Sequence, residues 1–361
     1  MKMKDKVYLE DIEKNVYSNE IDWKELKGKT IFITGGTGLI GKLLVNTIVY
    51  ASNIFNLNCK IIALVRNKEK AIEIFKELIE EGSKLELIEG DICNPIPDVH
   101  ENIDYVVHAA SQTSSKLFIE EPIKTINIAI DGTRNVLEFA KNKGVIKFIY
   151  LSTMEVYGRP DTDKKIDEFC GNNLLTNEVR NCYPISKNMC ENLCICYSKM
   201  YGFSTNILRL TQTFGAGVNY DDGRVFAEFA RNAIEKKDII LHTKGETKRC
   251  YLYTSDAVSA ILITMLYGKK NEIYNVANEN TYCSISDMAN VVAKANNIKV
   301  KYDIEENIEK YGYAPRLCMN LDCRKIKQLG WKETINLEDM YSRLIKSMIA
   351  NKWGEIVWIK Y

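Results

Sequence analysis

The chain has 361 residues, of which 46% are hydrophobic and 27% charged, so it can bury a large core in one large or two medium domains. Its 49 Lys and Arg residues nearly balance 48 Asp and Glu residues, which excludes an overall field that would attract nucleic acid or an anionic membrane. The sequence has neither an apolar stretch of membrane-spanning length nor the apolar segment of a signal peptide, so we expect a cytoplasmic protein.

The eleven cysteines and three histidines form no metal-ligand pattern. Cys190, Cys194 and Cys196 share a helix-like stretch that has no C-x-x-C pair and no nearby histidine. We therefore expect no metal site and interpret the cysteines as small buried hydrophobic residues.

An N-terminal extension, residues 1–28, precedes the first predicted strand. Its apolar and charged residues follow roughly helical spacing, and Trp23 and Leu26 are suited to dock on the rest of the protein. The pattern fits a cap, an oligomer contact or a lid, and the sequence leaves these three alternatives open.

A buried strand, a glycine-rich turn and a helix start follow one another in KTIFITGGTGLIGK, residues 29–42. Gly35 allows a tight turn, Gly38 lets a pyrophosphate approach the backbone, and Gly41 lets the helix pack closely on the strand. The anion lies against free N–H groups at the positive end of the helix dipole. The stretch predicts a dinucleotide site with contacts from Gly35, Thr37, Gly38, Leu39, Ile40 and Gly41.

The second predicted strand, residues 59–67, ends where the adenosine ribose binds in such a fold. An acid at this position binds both ribose hydroxyls of NAD, whereas a basic residue accommodates the 2′-phosphate of NADP. The position holds Arg66, and the first acid after it is Glu69. We therefore favour NADP(H), with NAD(H) left open and a solvated strand-end charge as the alternative for Arg66.

Two further strand–helix units continue the alternation. The predicted strands cover residues 85–92 and 104–111, and a helix follows over residues 123–143. Small residues that end the second of these strands let the cofactor backbone pass close, so we predict contacts from Ala109, Ala110 and Ser111. The alternation predicts an α/β fold with a doubly wound parallel sheet.

Two residues on one helix face, Tyr183 and Lys187, carry the predicted chemistry. They stand four residues apart, after a fifth predicted strand at residues 148–153. A tyrosine pKa of about 10 makes a poor base at neutral pH, but an adjacent ammonium favours the phenolate and lowers that pKa. Tyr183 can then exchange a proton with a sugar hydroxyl or carbonyl while hydride moves to or from the nicotinamide.

Three motifs together resemble the extended short-chain dehydrogenase/reductase superfamily, in its sugar-nucleotide branch. They are the turn T-G-x-x-G-x-x-G, the segment S-T-x-E-V-Y-G at residues 152–158, and the pair Y-x-x-x-K at residues 183–187. The resemblance spans about residues 29–345. It implies a Rossmann-type dinucleotide-binding domain at residues 29–204 and a smaller mixed α/β lobe at residues 205–361, which mainly binds the nucleotide sugar and returns strands to the main sheet.

The resemblance also implies roles for single residues. The catalytic tetrad that it implies consists of Asn127, Thr153, Tyr183 and Lys187. In this tetrad Lys187 also holds the nicotinamide ribose, and Thr153 hydrogen-bonds the reacting sugar oxygen. Asp91 and Ile92 are expected to contact adenine, whereas His108 is expected to be structural.

The choice of reaction depends on Met154 and Glu155. Dehydratases that resemble the dTDP-glucose enzyme carry Asp-Glu at this point, as acid and base for removing water, but the Met154 thioether cannot donate a proton. GDP-mannose dehydratases and UDP-glucuronate decarboxylases instead carry Thr-Ser-Glu, a layout that Glu155 fits. Glu155 is then either a base on the substrate or a residue that holds a loop.

Four residues of the C-terminal half resemble the substrate contacts of the same branch. Gln212 stands where these enzymes usually have Asn, and Arg224 lies in D-G-R-V, a segment similar to UDP-glucuronate decarboxylases. The alternative for Arg224 is a solvated charge after an Asp-Gly turn. Arg249 and Arg316 occupy the usual diphosphate positions, where a guanidinium fork matches phosphate oxygens.

We expect an NAD(P)-dependent oxidoreductase that acts on a nucleotide-activated sugar or sugar alcohol, in the synthesis of surface polysaccharide precursors. Arg66 and Met154 favour an NADPH-consuming keto-reductase. The alternative, favoured by Glu155 and the D-G-R-V segment, is an internal-redox epimerase, decarboxylase or 4,6-dehydratase that retains its cofactor. A second alternative is a non-catalytic NADP-sensing protein, although such proteins typically lack the Tyr/Lys pair. The resemblance also implies a homodimer formed through helices 123–143 and 183–201.

Overall fold

A computed structural model describes residues 5–304 and 316–353. Its helices are α1 (Lys6–Val16), α2 (Leu39–Ile54), α3 (Lys68–Ile74), α4 (Lys76–Glu80), α5 (Ser115–Glu120), α6 (Pro122–Lys143), α7 (Cys182–Tyr201), α8 (Val225–Ile234), α9 (Thr254–Tyr267), α10 (Ile285–Asn296), α11 (Arg324–Lys327) and α12 (Leu337–Trp353). Its strands are β1 (Thr30–Thr34), β2 (Lys60–Val65), β3 (Leu85–Glu89), β4 (Tyr105–His108), β5 (Lys147–Thr153), β6 (Ser204–Leu210), β7 (Gln212–Phe214), β8 (Ile239–Leu241), β9 (Lys248–Tyr253), β10 (Glu272–Val276), β11 (Asn278–Ser284), β12 (Val300–Tyr302) and β13 (Cys318–Met319). Among the helices in these ranges, none is both long and apolar enough to cross a lipid bilayer.

Within these ranges, seven parallel strands form the main sheet, in the order β10-β6-β5-β4-β1-β2-β3. The chain adds β2 and β3 on one side of β1, then crosses to add β4, β5, β6 and β10 on the other side. The direction of growth therefore reverses between β1 and β4, which is where sheets of this type bind ligands. The predicted α/β fold with a Rossmann-type, doubly wound parallel sheet is confirmed.

Helices cover both faces of the main sheet. Ile31 and Ile33 of β1 pack into the core shared with α1, α2 and α9, whereas Phe32 packs into the core under α6 and α7. Cys190 and Cys194 of α7 are fully buried in this second core, as the sequence predicted for small apolar side chains. Burial on both faces explains why the strands read as nearly continuous apolar runs.

The second lobe is built on strand β9. It pairs antiparallel with β11 and parallel with β7 and β13, while β8 and β12 form a separate parallel pair. Residues of α8, α10 and α12 share a core with this sheet, around Phe214, Phe226 and Tyr251. Strands β6 and β10 pair with each other in the main sheet. The division of the chain after residue 204 stays a prediction.

Residues 5–28 of the N-terminal extension pack against the rest of the described chain. Trp23 and Leu26 are buried, as predicted, and the Trp23 indole N–H donates to the Val16 carbonyl at 2.9 Å. The Asn15 amide donates to the Ser255 carbonyl at the start of α9 at 3.1 Å. Helix α1 also contacts α2 and α12, so it forms a cap on these helices.

A buried ion pair fastens α1 to α12. The Asp11 carboxylate is 0% exposed and accepts hydrogen bonds from the Arg343 guanidinium at 2.7 Å and from the Tyr253 hydroxyl at 2.7 Å. Burial raises the pKa of Asp11 to about 6, although Arg343 opposes this shift. Removing Arg343 alone therefore leaves an uncompensated charge inside the protein.

We expect Arg343→Met to lower the free energy of unfolding by about 3 kcal/mol, because the buried Asp11 carboxylate loses its countercharge. The double variant Arg343→Met/Asp11→Asn removes both charges and should recover most of the loss. Chemical denaturation followed by circular dichroism measures both changes. An Arg343→Met protein as stable as the wild type would contradict this stabilising role.

Candidate active site

A cavity of about 1460 Å³ lies where β1, β4 and β5 end, at the reversal point of the main sheet. Both lobes contribute to its walls, and its volume exceeds that of a usual site for one drug-sized ligand. The sequence-predicted residues that line it are Gly35, Thr37, Gly38, Leu39, Ile40, Gly41, Arg66, Asp91, Ile92, Ala109, Ala110, Ser111, Asn127, Thr153, Glu155, Tyr183, Lys187, Gln212, Arg224 and Arg249.

The glycine-rich turn forms one wall of this cavity, where backbone atoms leave no room for side chains. Gly35 has a φ of +72°, and a Cβ there would lie 2.6 Å from the Ala110 backbone nitrogen. A Cβ on Gly41 would lie 2.2 Å from the Gly35 carbonyl oxygen, so α2 packs directly on the turn. Gly38 precedes α2 and no side chain caps the helix, which leaves its first N–H groups for an anion. This cradle fits the pyrophosphate of a dinucleotide.

The end of β2 continues the same wall. Arg66 is exposed, lines the cavity and forms no ion pair with a carboxylate in the described ranges. Asn67 accepts a hydrogen bond from the Lys70 N–H at 2.7 Å and so caps α3. The Asp91 carboxylate accepts from the Cys93 N–H at 2.9 Å. Burial raises the pKa of the Cys93 thiol to about 11. The Asp91 charge raises this pKa further and the Arg66 charge lowers it, so these three side chains lie close together.

The Tyr183 ring is held by stacking on a neighbouring aromatic ring. It is 8% exposed and stacks on Phe118, with the ring centroids 4.2 Å apart and the planes 8° from parallel. Burial raises the pKa of Tyr183 well above its usual value, and the Glu155 carboxylate raises it further. The neighbouring hydroxyls of Thr153 and Ser111 oppose this rise in the Tyr183 pKa. The predicted tyrosine and threonine of the tetrad thus lie near each other at the cavity.

The Lys187 ammonium is held by a backbone carbonyl and lies over an aromatic ring. Its Nζ donates to the Leu151 carbonyl at 2.6 Å and lies 4.1 Å from the centroid of the Tyr150 ring. Burial lowers the pKa of Lys187 to about 8. Burial outweighs the effects that lower the Tyr183 pKa in this arrangement, and the expected lowering of that pKa by Lys187 stays a prediction.

An ion pair that sequence reasoning missed joins Glu155 to Arg180. Arg180 Nη1 donates to Glu155 Oε2 at 2.6 Å, and the guanidinium lies 5.5 Å from the centroid of the Phe118 ring. Both charged side chains line the cavity with Tyr183. The sequence signal for Arg180 was its position just before the N-terminus of α7, close to Tyr183. The pair fixes the Glu155 carboxylate at the cavity wall.

Met154 and His108 make structural contacts. The buried Met154 Sδ accepts a hydrogen bond from the Thr211 hydroxyl at 3.1 Å. The His108 ring hydrogen-bonds Thr34 at 2.7 Å and Thr133 at 3.2 Å. Burial lowers the pKa of His108 to about 3, so the ring is neutral and holds two strands and a helix together, in line with the expected structural role.

Arg249 lines the cavity with an incompletely bonded guanidinium. Its Nη1 donates to Gln212 Oε1 at 3.5 Å, and its buried Nε finds no hydrogen-bond partner in the part of the chain that the structure describes. Arg224 is bound by the Asp222 carboxylate instead, through Nε at 2.9 Å and Nη2 at 2.6 Å. Arg249 is the better placed of the two for an anion, because a diphosphate would complete its hydrogen bonds.

Arg316 lies outside the cavity that the other predicted site residues line. Its side chain is exposed and does not line the cavity. Hydrogen bonds from Tyr282 and Lys248 lower the pKa of Asp163, and the Arg316 charge adds to this effect, so Arg316 lies near that carboxylate. Residues 305–315, which precede it, are outside the described ranges. A diphosphate role for Arg316 stays a prediction.

Comparisons with known proteins agree with this geometry. A sequence model of the NAD dependent epimerase/dehydratase family matches residues 31–277. The chain is 26% identical over 337 residues to UDP-glucuronic acid decarboxylase 2 from Arabidopsis thaliana, a match that covers 91% of this chain and 70% of the relative. Its fold is similar to that of UDP-glucose 4-epimerase from Thermotoga maritima with UDP-glucose, with a TM-score of 0.73 and 21% identity over 89% of this chain and 99% of that one. It is also similar to dTDP-glucose 4,6-dehydratase from Bacillus anthracis in complex with NAD, with a TM-score of 0.72 and 19% identity over 90% of this chain and 97% of that one.

The contact between Gly41 and Gly35 tests the cradle. We expect Gly41→Ala to weaken dinucleotide binding at least about tenfold, because the added Cβ forces α2 away from the turn. Gly171→Ala is the matched control, since a Cβ there meets no atom within 4 Å. Calorimetric titration with NADP⁺ and NAD⁺ measures both variants after circular dichroism has checked their fold. Unchanged binding by Gly41→Ala would contradict the assigned cradle.

Proposed function

The chain belongs to the NAD dependent epimerase/dehydratase family, of the extended short-chain dehydrogenase/reductase type, and from this premise we propose that it converts a nucleotide-activated sugar by internal redox chemistry. In such a reaction a sugar carbon is oxidised, an epimerisation, decarboxylation or dehydration follows, and the same hydride returns. The observation that carries the proposal is the continuous cavity that joins the glycine-rich turn, Tyr183 and Arg249. It offers room for a dinucleotide and for a nucleotide diphosphate at one acid–base residue.

The relatives support this reaction better than the keto-reductase that sequence reasoning favoured. The family name covers epimerases and dehydratases, and the relative from Arabidopsis thaliana is a UDP-glucuronic acid decarboxylase. Glu155 adds support, because elimination and decarboxylation benefit from a second acid–base group in the cavity with Tyr183. A non-catalytic NADP-sensing protein has less support, since Thr153, Tyr183 and Lys187 all line the cavity.

Tyr183 is the acid–base group of the proposed mechanism. In its phenolate form, beside the side chains of Thr153 and Ser111, it takes the proton from a sugar hydroxyl as the carbon is oxidised, and it returns that proton when the hydride comes back. A bound NAD(P) supplies the hydride acceptor and donor. Burial opposes the phenolate that this step needs, and the Arg180 guanidinium lowers the cost of forming it.

The remaining charged residues hold the substrate. Arg249 binds a diphosphate through the nitrogen that lacks a partner, with Gln212 positioned beside it. Arg224, paired with Asp222 at the same cavity, is a second candidate for a substrate contact. Glu155, held by Arg180, presents a carboxylate to the sugar. The substrate class that fits these groups is a nucleoside diphosphate sugar.

The end of β2 supports NADP as the dinucleotide. Arg66 is exposed without a carboxylate ion pair in residues 5–304 and 316–353, and Asn67 caps α3 rather than offering an acid to the ribose. Lys70 of α3 lines the cavity as well, so a second cation lies on this side. NAD is the alternative, since the structurally similar Bacillus anthracis dehydratase was solved with NAD.

We also propose a cytoplasmic homodimer formed through α6 and α7. Met189 and Met200 of α7 are exposed large apolar side chains that a second copy would cover. The altered nucleotide sugar would serve as a precursor for a surface polysaccharide.

The reaction type is tested by incubating purified protein, without added cofactor, with a panel of UDP-, GDP- and dTDP-sugars. We expect mass spectrometry to detect loss of carbon dioxide, loss of water, or an isomer separable by chromatography. Tyr183→Phe should lower the rate at least about 100-fold, because the acid–base proton is gone. Tyr201→Phe on the same helix is the matched control and should keep full activity. Turnover that requires stoichiometric NADPH would contradict the proposal.

The cofactor choice is tested at Arg66. We expect wild-type protein to bind NADP⁺ more tightly than NAD⁺, and Arg66→Asp to weaken NADP⁺ binding at least about tenfold, because an acid repels the 2′-phosphate and binds ribose hydroxyls. Calorimetry with both nucleotides measures the preference. A wild type that prefers NAD⁺, with Arg66→Asp unchanged, would rule out this role.

A further inference from the structure

Helix α1 lies outside the residues that the family model matches, yet it contributes a side chain to the cavity. Tyr8 is 4% exposed and lines the cavity together with Leu39 and Lys42 at the start of α2. Its ring packs on Gly217 of the second lobe, where a Cβ would come within 3.0 Å of Tyr8 Cε2. Tyr8 therefore contacts the wall formed by α2 and the wall formed by the second lobe.

Polar contacts fix the position of Tyr8. The Asp5 carboxylate caps α1 by accepting from the Tyr8 N–H at 3.1 Å, and its other oxygen accepts from the Ser347 hydroxyl of α12. The same Ser347 oxygen accepts from the Gly217 N–H at 2.9 Å. The Ser347 hydroxyl thus links α1 and α12 to the loop that carries Gly217. These hydrogen bonds fix the position of Tyr8 in the folded protein.

Lys42 is the cation that the Tyr8 ring faces. It follows Gly41 directly, and its Nζ lies 5.4 Å from the centroid of the Tyr8 ring. Its ammonium has no hydrogen-bond or ion-pair partner in the described ranges, and Asp5 and Glu77 act on it only through longer-range electrostatics. Burial lowers the pKa of Lys42, so its surroundings do not fully compensate the charge.

We propose that Lys42, held by the Tyr8 ring, binds a phosphate of the dinucleotide, an inference that rests on the function proposed above. An ammonium beside the free N–H groups of α2 adds a full positive charge where a phosphate is already favoured. The face of the Tyr8 ring stabilises this ammonium by a cation–π contact in a partly buried site. The N-terminal extension is thereby a component of the cofactor site.

The placement of the other cations favours the dinucleotide over the substrate as the bound anion. Lys42 belongs to the helix that the glycine-rich turn starts, and Arg66 and Lys70 line the same cavity from the neighbouring β2 and α3. Arg249, the residue best placed for a substrate diphosphate, lies on β9 of the second lobe. The dinucleotide phosphates and the substrate diphosphate would thus be bound by different positively charged residues.

The test measures how fast the dinucleotide leaves the full-length protein after saturation with NADP⁺ or NAD⁺, and separately the dissociation constant for UDP. We expect Lys42→Met to release the dinucleotide about tenfold faster and Tyr8→Leu about threefold faster, since most such losses appear in the dissociation rate. The double variant should release it no faster than Lys42→Met, because Tyr8 acts through Lys42. UDP binding should stay unchanged. The matched controls, Lys24→Met and Tyr17→Leu, alter exposed side chains that do not line the cavity.

The outcomes separate this inference from the proposed function. A Lys42→Met release rate within about twofold of the wild type overturns the inference, as does a double variant whose effects simply add. A loss confined to UDP affinity also overturns it, since Lys42 would then serve the substrate. A wild type that binds neither dinucleotide overturns the proposed function itself. Tyr8→Phe, which keeps the ring, should behave as the wild type and shows whether Tyr8→Leu acts by losing that ring.

Discussion

The close contact between Gly41 and the Gly35 carbonyl is the constraint on which the site depends. Because neither residue has a Cβ, α2 begins directly against the turn that ends β1, and its first N–H groups lie at the carboxyl edge of the main sheet. Parallel pairing brings the end of β5, with Thr153, to the same edge. A larger side chain in the turn would increase the distance between the N-terminus of α2, where an anion would bind, and the proposed acid–base residues. This would happen even if the rest of the cavity were unchanged.

Burial governs the chemistry in this cavity. It raises the pKa of Tyr183 and lowers the pKa of Lys187, so it pushes both groups toward their neutral forms. Glu155 and Arg180 then act on Tyr183 with opposite signs, since the carboxylate disfavours the phenolate and the guanidinium favours it. In the proposed mechanism, a substrate contact that draws the Glu155 charge away from Tyr183 would therefore favour the phenolate that acts as the base.

Local patterns suffice to predict the parallel strands, the glycine-rich turn and the placement of Tyr183 and Lys187 on one helix face, because each depends on residues close together in the sequence. Tyr8, Phe118 and Arg180 were not predicted, since their roles arise from packing between distant segments. The net rise of the Tyr183 pKa was not predicted, for a related reason. Helical spacing shows that an ammonium is near, but it shows neither the burial of the ring nor the backbone carbonyl that captures the ammonium.

In the proposed reaction, one hydride leaves the sugar and returns to the same molecule. The most direct measurement mixes a nucleotide sugar fully deuterated on its sugar ring with an unlabelled copy and an excess of free NADP⁺, and follows the products by mass spectrometry. Internal redox predicts that the labelled molecules keep the transferred deuterium, without crossover to unlabelled ones and without deuterium in the free cofactor. Deuterium in the free NADPH pool, or a product that gains its hydrogen from added NADPH, would contradict the account.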